Sequence, residues 1–188
     1  MAEPETPLEI LRKGVPAWNA WRDETGNSGV SLAGADLSDM DLDDANFLLT
    51  DLTRANLSGA LLRRAHMKYA DLTEADLTDA NLEHVSARQA VCDRARAVGA
   101  NFSVATLRRA AFAGADLTGA RFHRAYLRQV GLEGAILHGA WMRFATLEKA
   151  RCQGADLSDS ELRYDTMVRP DLKQARLSET YVLGVSDW

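Results

Sequence analysis

No run of eighteen apolar residues occurs anywhere in this chain, so the sequence offers no membrane-spanning helix. Its start, Met1-Ala2-Glu3-Pro4-Glu5, has neither the basic nor the apolar region of a secretory signal, which makes a cytoplasmic location the expectation. Phosphate-loop, zinc-ligand and glycine-rich nucleotide fingerprints are all missing, and no cofactor or metal is expected. Only two cysteines and four histidines are present. Charged residues make up 26% and the net charge is -5, as for one soluble domain, and this mild acidity argues against direct binding of nucleic acid.

What the chain does have is an apolar residue at every fifth place. From Leu32 to Val182 the 31 positions numbered with a final 2 or 7 read Leu nineteen times, Phe four, Met three, Cys twice and Val once, with Ala87 and Ala97 the small exceptions. Two residues earlier, Ala fills 22 of 31 places, and the other three places of each group are mostly polar. An α-helix would turn five residues through about 500°, smearing the leucines around its axis. A flat strand alternates with period two and would throw successive leucines to opposite faces. What survives is a chain that turns one corner per pentapeptide and keeps the large residue and the Ala inward, which is a solenoid.

Ala35-Asp36-Leu37-Ser38-Asp39, Ala55-Asn56-Leu57-Ser58-Gly59, Ala75-Asp76-Leu77-Thr78-Asp79, Ala115-Asp116-Leu117-Thr118-Gly119 and Ala155-Asp156-Leu157-Ser158-Asp159 resemble the A(D/N)LXX consensus of the pentapeptide-repeat family. The resemblance covers roughly residues 30 to 184. It implies an all-β fold, a right-handed quadrilateral parallel β-helix with twenty residues per coil, hence about 7.75 coils and a rod roughly 37 Å long at strand spacing. Three segments are expected: an N-terminal helical cap over residues 1–29, the β-helix over 30–184 and a tail over 185–188. Thr6, Pro7 and Glu9 have the chemistry of an N-cap, a first helical residue and a capping-box partner, and Gly14 and Pro16 can end this helix and begin another. Leu8, Leu11, Val15, Trp18 and Trp21 would then cover the open first coil.

With residues twenty apart stacked, the outward charges sort unevenly onto four walls. The wall centred on Leu37, Leu57 and Leu77 carries Asp36, Asp39, Asp76, Asp79, Asp116, Asp156, Asp159 and Glu179 against only Arg96 and Arg176. The opposite wall carries Lys68, Arg88, Arg108, Arg109, Arg128, Lys149 and Arg169 against Glu148 alone. Between them, Trp141, Phe144, Tyr164, Tyr181 and Leu183 occupy outward places near the far end, with Trp188 in the tail, and form a candidate apolar patch for contact between two copies. Mid-rod, Leu82, Ala87, Cys92 and Ala97 make one coil with a thin core, unless Val85, Val91 or Phe102 fills it.

Catalysis finds no footing in this arrangement. His66, His84, His123 and His138 fall on different walls or columns, while Cys92 and Cys152 are inward residues three coils, about 14 Å, apart and should be reduced core thiols. Asp before the central Leu is what the consensus supplies for closing corners, so no metal site is read from it. The chain is therefore expected to be a non-enzymatic scaffold that binds a macromolecular partner through its charged walls. At the C-terminal end either the tail folds over its own last coil or two copies meet end to end, and the resemblance implies the pairing. The alternative, implied by the resemblance, is a DNA-mimicking modulator of bacterial type II topoisomerase, DNA gyrase, that alters its response to quinolone-like agents.

Overall fold

The structure, a computed structural model, describes residues 4–26, 29–164 and 166–184. From Ser31 onward the residue before each central one forms a parallel bridge to the residue twenty further along, beginning with Ser31↔Asp51 and continuing to Asp156↔Arg176. Successive coils are bonded in both directions: Leu32 N donates to Asp51 O at 2.7 Å, and Asp51 N donates to Val30 O at 2.9 Å. Four pentapeptides close each circuit, and coils stack at the spacing of strands in a sheet, about 4.8 Å. Backbone polar groups are thus satisfied mainly between coils rather than within a single segment.

The corners are tight turns closed by bonds such as Ala35 N to Leu32 O at 3.0 Å. Every residue numbered with a final 4 or 9 from Gly29 to Gly184 has φ between +52° and +69°, the signature of the third residue of a type II turn. Most of these residues are not glycine, and even Leu49, Val104, Phe144 and Tyr164 adopt φ of 56° to 60°. That conformation costs a residue with a side chain roughly 1–2 kcal/mol, which the bridges on either side of the corner offset. Asp before the central Leu closes the same corners, as where Asp71 Oδ1 accepts from Thr73 N at 2.9 Å and Thr73 Oγ1 at 2.6 Å.

Inside the coils, the central side chains from Leu32 to Met167 are buried, as are the small inward residues from Ala45 to Ser160. The expected apolar column does not run on to Val182. Leu172 is half-buried, and Leu177 and Val182 are 38% and 40% exposed, because no described coil follows to cover them. Two short strands, β1 (Glu161–Arg163) and β2 (Tyr181–Leu183), form the last parallel pair. At the thin coil, Val85 and Phe102 are buried, whereas Val91 points outward and is half-buried. The Phe102 ring stacks on Phe122 at 5.1 Å and meets the edge of Phe112 at 5.8 Å, so large rings lie one coil beyond Ala87, Cys92 and Ala97.

Thr50 takes an inward place normally held by Ala, and its buried Oγ1 has no hydrogen-bond partner among the described residues. An unpaired buried hydroxyl costs about 1–3 kcal/mol. Thr50→Val is expected to raise the urea midpoint by the equivalent of about 1 kcal/mol; a lower midpoint would show that the hydroxyl is satisfied.

Two helices lie over the first coil. Thr6 caps α1 (Pro7–Arg12), with Glu9 N donating to Thr6 Oγ1 at 3.3 Å and Thr6 N donating to Glu9 Oε2 at 2.8 Å, the reciprocal capping box. Gly14, with φ of 105°, leads into α2 (Val15–Thr25). Trp18 and Arg22 are buried, and the Trp18 ring lies 5.7 Å from Phe47. Trp18 Nε1 donates to Asn46 O at 2.9 Å, Asn19 Nδ2 to Asp44 O at 3.0 Å, and the Arg22 guanidinium to Leu48 O. The Asn46 and Leu48 carbonyls occupy places that elsewhere in the rod accept from the preceding coil, as Asp51 O and Thr53 O do. α2 therefore supplies both apolar cover and donors at this end.

Candidate functional site

Stacking at an interval of twenty assembles the acidic wall from two kinds of carboxylate. Asp36, Asp76, Asp116 and Asp156 precede central leucines and are tied to the corner, as where Asp156 Oδ1 accepts from Ser158 N at 3.0 Å and Ser158 Oγ at 2.6 Å. Asp39, Asp79, Asp159 and Glu179 sit at the positive-φ places instead. Gly59 and Gly99 matter here because a Cβ at either would collide with the Asp39 or Asp79 carboxylate one coil away. Arg96 and Arg176 offset this wall only locally, at 3.7 Å from Asp76 and 3.4 Å from Asp156.

These corner bonds make the rod sensitive to acid. Hydrogen bonds from Ser38 and Ser158 hold the Asp36 and Asp156 carboxyls below the usual range, and the Thr53 backbone does the same for Asp51. Burial, with Lys68 nearby, pushes His66 down. In all four the folded state binds its proton less readily than the unfolded chain, so stability falls as pH drops. A chemical-denaturation series is expected to show a shallow loss below about pH 6.5 from His66 and a steeper one below about pH 4 as the aspartates protonate. A profile that rises on acidification would contradict this assignment.

On the opposite wall, Lys68, Arg88, Arg108 and Arg128 hold the same place in four successive coils. A groove of about 440 Å³ is lined by Arg88, Arg108 and Arg128 together with Thr106, Tyr126 and Thr146, and closed at one end by Glu148. A smaller one of about 190 Å³ lies between Lys68, Tyr69, Arg88, Arg108 and Arg109. Glu148 pairs with Arg128 at 3.1 Å and with Lys149 at 3.9 Å, Arg109 Nε donates to Gln129 at 3.0 Å, and Lys68 Nζ lies 4.8 Å from the centre of the Tyr69 ring. Arg88, Arg108 and Arg169 form no ion pair with any described residue.

The intermediate wall brings Trp141, Phe144, Tyr164, Tyr181 and Leu183 together near the far end, with Trp141 57% and Tyr181 65% exposed. Trp188 lies outside the described residues. Phe144 and Tyr164 stack at 5.2 Å, and the Arg124 and Arg143 guanidiniums lie 5.8 and 5.9 Å from the Phe144 ring. These aromatics partly cover one another, and Gly184 is a place where a Cβ would meet the Tyr164 ring at 2.8 Å.

One cluster escaped the sequence reading, although the interval of twenty contains it. His138 Nδ1 lies 3.2 Å from Ser158 Oγ and 3.3 Å from Asp159 Oδ2. Ser158 Oγ already donates to Asp156, so His138 is not placed to take its proton, and the group stiffens the wall rather than activating a nucleophile. Cys92 and Cys152 are free and buried. Desolvation raises both thiols, Cys152 to about 12, which keeps them protonated and unreactive. Among the described residues no His, Cys, Asp and Glu group is placed to hold a metal, and no helix is long and apolar enough to cross a membrane.

A four-sided parallel coil filled by its own leucines, with opposite charges on opposite outer walls, defines a β-solenoid whose chemistry lies on its surface. The family model for pentapeptide repeats in eight copies matches residues 28–59, 55–91, 75–110, 88–124, 98–134 and 125–163. The chain belongs to the pentapeptide-repeat family, whose members fold as right-handed quadrilateral β-helices and are generally structural or interaction proteins. No protein of curated function is significantly similar to it. Among solved structures, a trypsin-treated form of QnrB1, a plasmid-mediated fluoroquinolone resistance protein, is 20% identical over 82% of this chain and 80% of its own, with a TM-score of 0.55. A second trypsin-treated QnrB1 gives 19% over 84% and 91%, with 0.52. HetL, from the cyanobacterium Nostoc and involved in heterocyst differentiation regulation, is 23% identical over 87% and 92%, with 0.38. At these identities the likeness to QnrB1 is one of fold alone.

Proposed function

We propose that the protein is a non-enzymatic interaction rod that binds an acidic macromolecular surface along its basic wall. The observation that carries this reading is the column of Arg88 and Arg108. Elsewhere the rod matches many of its cations, Arg54 and Arg94 to Glu74, Arg63 to Asp43, Arg64 to Asp44 and Arg151 to Glu133. Arg88 and Arg108 stand one coil apart with no described carboxylate in reach, and like charges at that spacing repel. An anionic partner relieves the repulsion, and Thr106, Tyr126 and Thr146 add hydroxyl groups to the same groove. Cross-linking in the native cell, followed by identification of attached proteins, tests the reading. Attachment is expected to weaken with salt and to disappear when Arg88, Arg108 and Arg128 are all changed to Glu; an unchanged set of attached proteins would overturn it.

Two finer readings accompany this one. The acidic wall, with the fold likeness to QnrB1, supports a DNA-mimicking modulator of DNA gyrase. The unbroken bridges from Ser31 to Arg176, without inserted loops, and the basic wall weigh against it. Supercoiling by purified gyrase, with and without a quinolone, is expected to be unaffected by the rod in stoichiometric excess; protection or inhibition would make gyrase the leading partner. End-to-end pairing of two copies is supported by Leu177, Tyr181, Val182 and Leu183, exposed on the last described coil. Light scattering is expected to show a dimer that Leu177→Lys with Val182→Lys converts to monomer, and a monomer at every concentration of the unmodified chain would remove this contact.

A further inference from the structure

We propose that these rods also dock side by side, the basic wall of one copy lying on the acidic wall of the next. This rests on the reading of the charged walls as contact surfaces, and names a second copy of the chain as an occupant. Central residues of the two walls are ten apart in a twenty-residue circuit, so the walls face opposite ways. A copy that gives its basic wall to one neighbour keeps its acidic wall free for another. The contact is therefore head-to-tail and non-closing, and it builds rows rather than a closed dimer.

Charge sign is only half of the match, because the two walls share one ruler. Both are read off the same bridges, so their charges recur at whole multiples of a coil, about 4.8 Å. Cations of the basic wall occur in every coil from Lys68 to Arg169, and the carboxylates Asp36, Asp76, Asp116 and Asp156 in every second one. Two rods laid in register set three of these four carboxylate levels against the six cation levels, one carboxylate level to each pair. A partner with another repeat falls out of step within a few coils. The acidic wall also admits close approach, since Ser38, Ser58, Thr78 and Thr118 are short and Gly59, Gly99, Gly119 and Gly139 leave the corners bare. The Arg88 and Arg108 charges, which have no ion-pair partner among the described residues of the single rod, gain carboxylates in the row.

Sedimentation velocity across a concentration series tests this on the full chain. In about 10 mM salt, where charges reach roughly 30 Å, species larger than a dimer are expected, and in about 1 M salt, with a reach of roughly 3 Å, they should dissolve. End-to-end pairs, being apolar, persist in both. One variant replaces Arg88, Arg108 and Arg128 with Gln. A second places Asn at Asp36, Asp39, Asp76, Asp79, Asp156 and Asp159, leaving Asp116 and Glu179 against Arg96 and Arg176. Asn is compatible with these corners, since Asn56 accepts from Ser58 as the aspartates do. Each variant alone is expected to lose lateral growth at least tenfold in concentration, yet an equimolar mixture of the two, each also carrying Leu177→Lys and Val182→Lys so that the ends do not pair, should form a one-to-one complex that grows no further, because one wall survives on each. Identical sedimentation of the unmodified chain in both salts, which needs no variant, would overturn side-by-side docking, as would a mixture that forms no complex. If the rod fails to self-associate while its cell partners still depend on Arg88, Arg108 and Arg128, only this inference falls. If neither readout responds to the wall substitutions, the interaction reading falls with it.

Discussion

Phe102→Ala is expected to destabilise the rod by about 3–5 kcal/mol, at the upper end of what one core truncation costs. The ring is buried, stacks on Phe122 and touches the edge of Phe112. One coil back, the same level of the core holds Leu82 in the Phe102 column and otherwise only the small side chains of Ala87, Cys92 and Ala97, which have little bulk with which to close the space. A void there joins the thinnest level of the core, and coils in contact only with their neighbours cannot redistribute the loss. Urea unfolding should shift to a lower midpoint and separate into two steps as the halves on either side uncouple. A cost below about 1 kcal/mol would mean that this level of the core repacks freely.

Removing residues 1–28 is expected to have an effect of similar size through exposed surface. Leu32, Leu37, Leu42 and Phe47 form the first level of the core, and Trp18 packs against the last of them. Without α2 that level faces water, and the Asn46 and Leu48 carbonyls lose the donors supplied by Trp18 and Arg22. Aggregation or a markedly lower melting temperature is the expected outcome, with Trp18→Ala alone costing about 3–5 kcal/mol. A truncated rod that stays monodisperse and equally stable, but loses a binding partner, would instead make this segment a docking element.

The architecture was legible because period five admits few solutions. Leu57 and Ala55 repeat at positions that neither a helix nor a flat strand can bury together, and the interval of twenty orders the bridges without a slip. The walls followed from that interval alone. Other features depend on geometry that the pattern does not carry. Leu49, Val104, Phe144 and Tyr164 show no preference for positive φ, and only hydrogen bonding to adjacent coils imposes it. The end of the dry axis at Met167 was hidden because Leu177 and Val182 satisfy the pattern, whereas burial needs a coil beyond them. Which cations find partners was hidden too. Arg64 reaches Asp44 twenty residues back, while Arg88 has Lys68 at that place and Arg108 at the next. The contacts of Asn19 and Arg22 with first-coil carbonyls lie outside the repeat, and no periodic signal announces them.

Arg108→Glu gives the most direct test of whether the basic column is kept for contact rather than for folding. Glu between Arg88 and Arg128 turns three like charges into alternating ones, worth about 0.2–1 kcal/mol per favourable neighbour. Thermal unfolding of the purified chain in about 10 mM salt should show the variant more stable than the unmodified protein, with the difference vanishing near 1 M salt. A variant less stable than the unmodified rod at low salt would contradict this, because it would mean that the Arg108 charge holds the coils together.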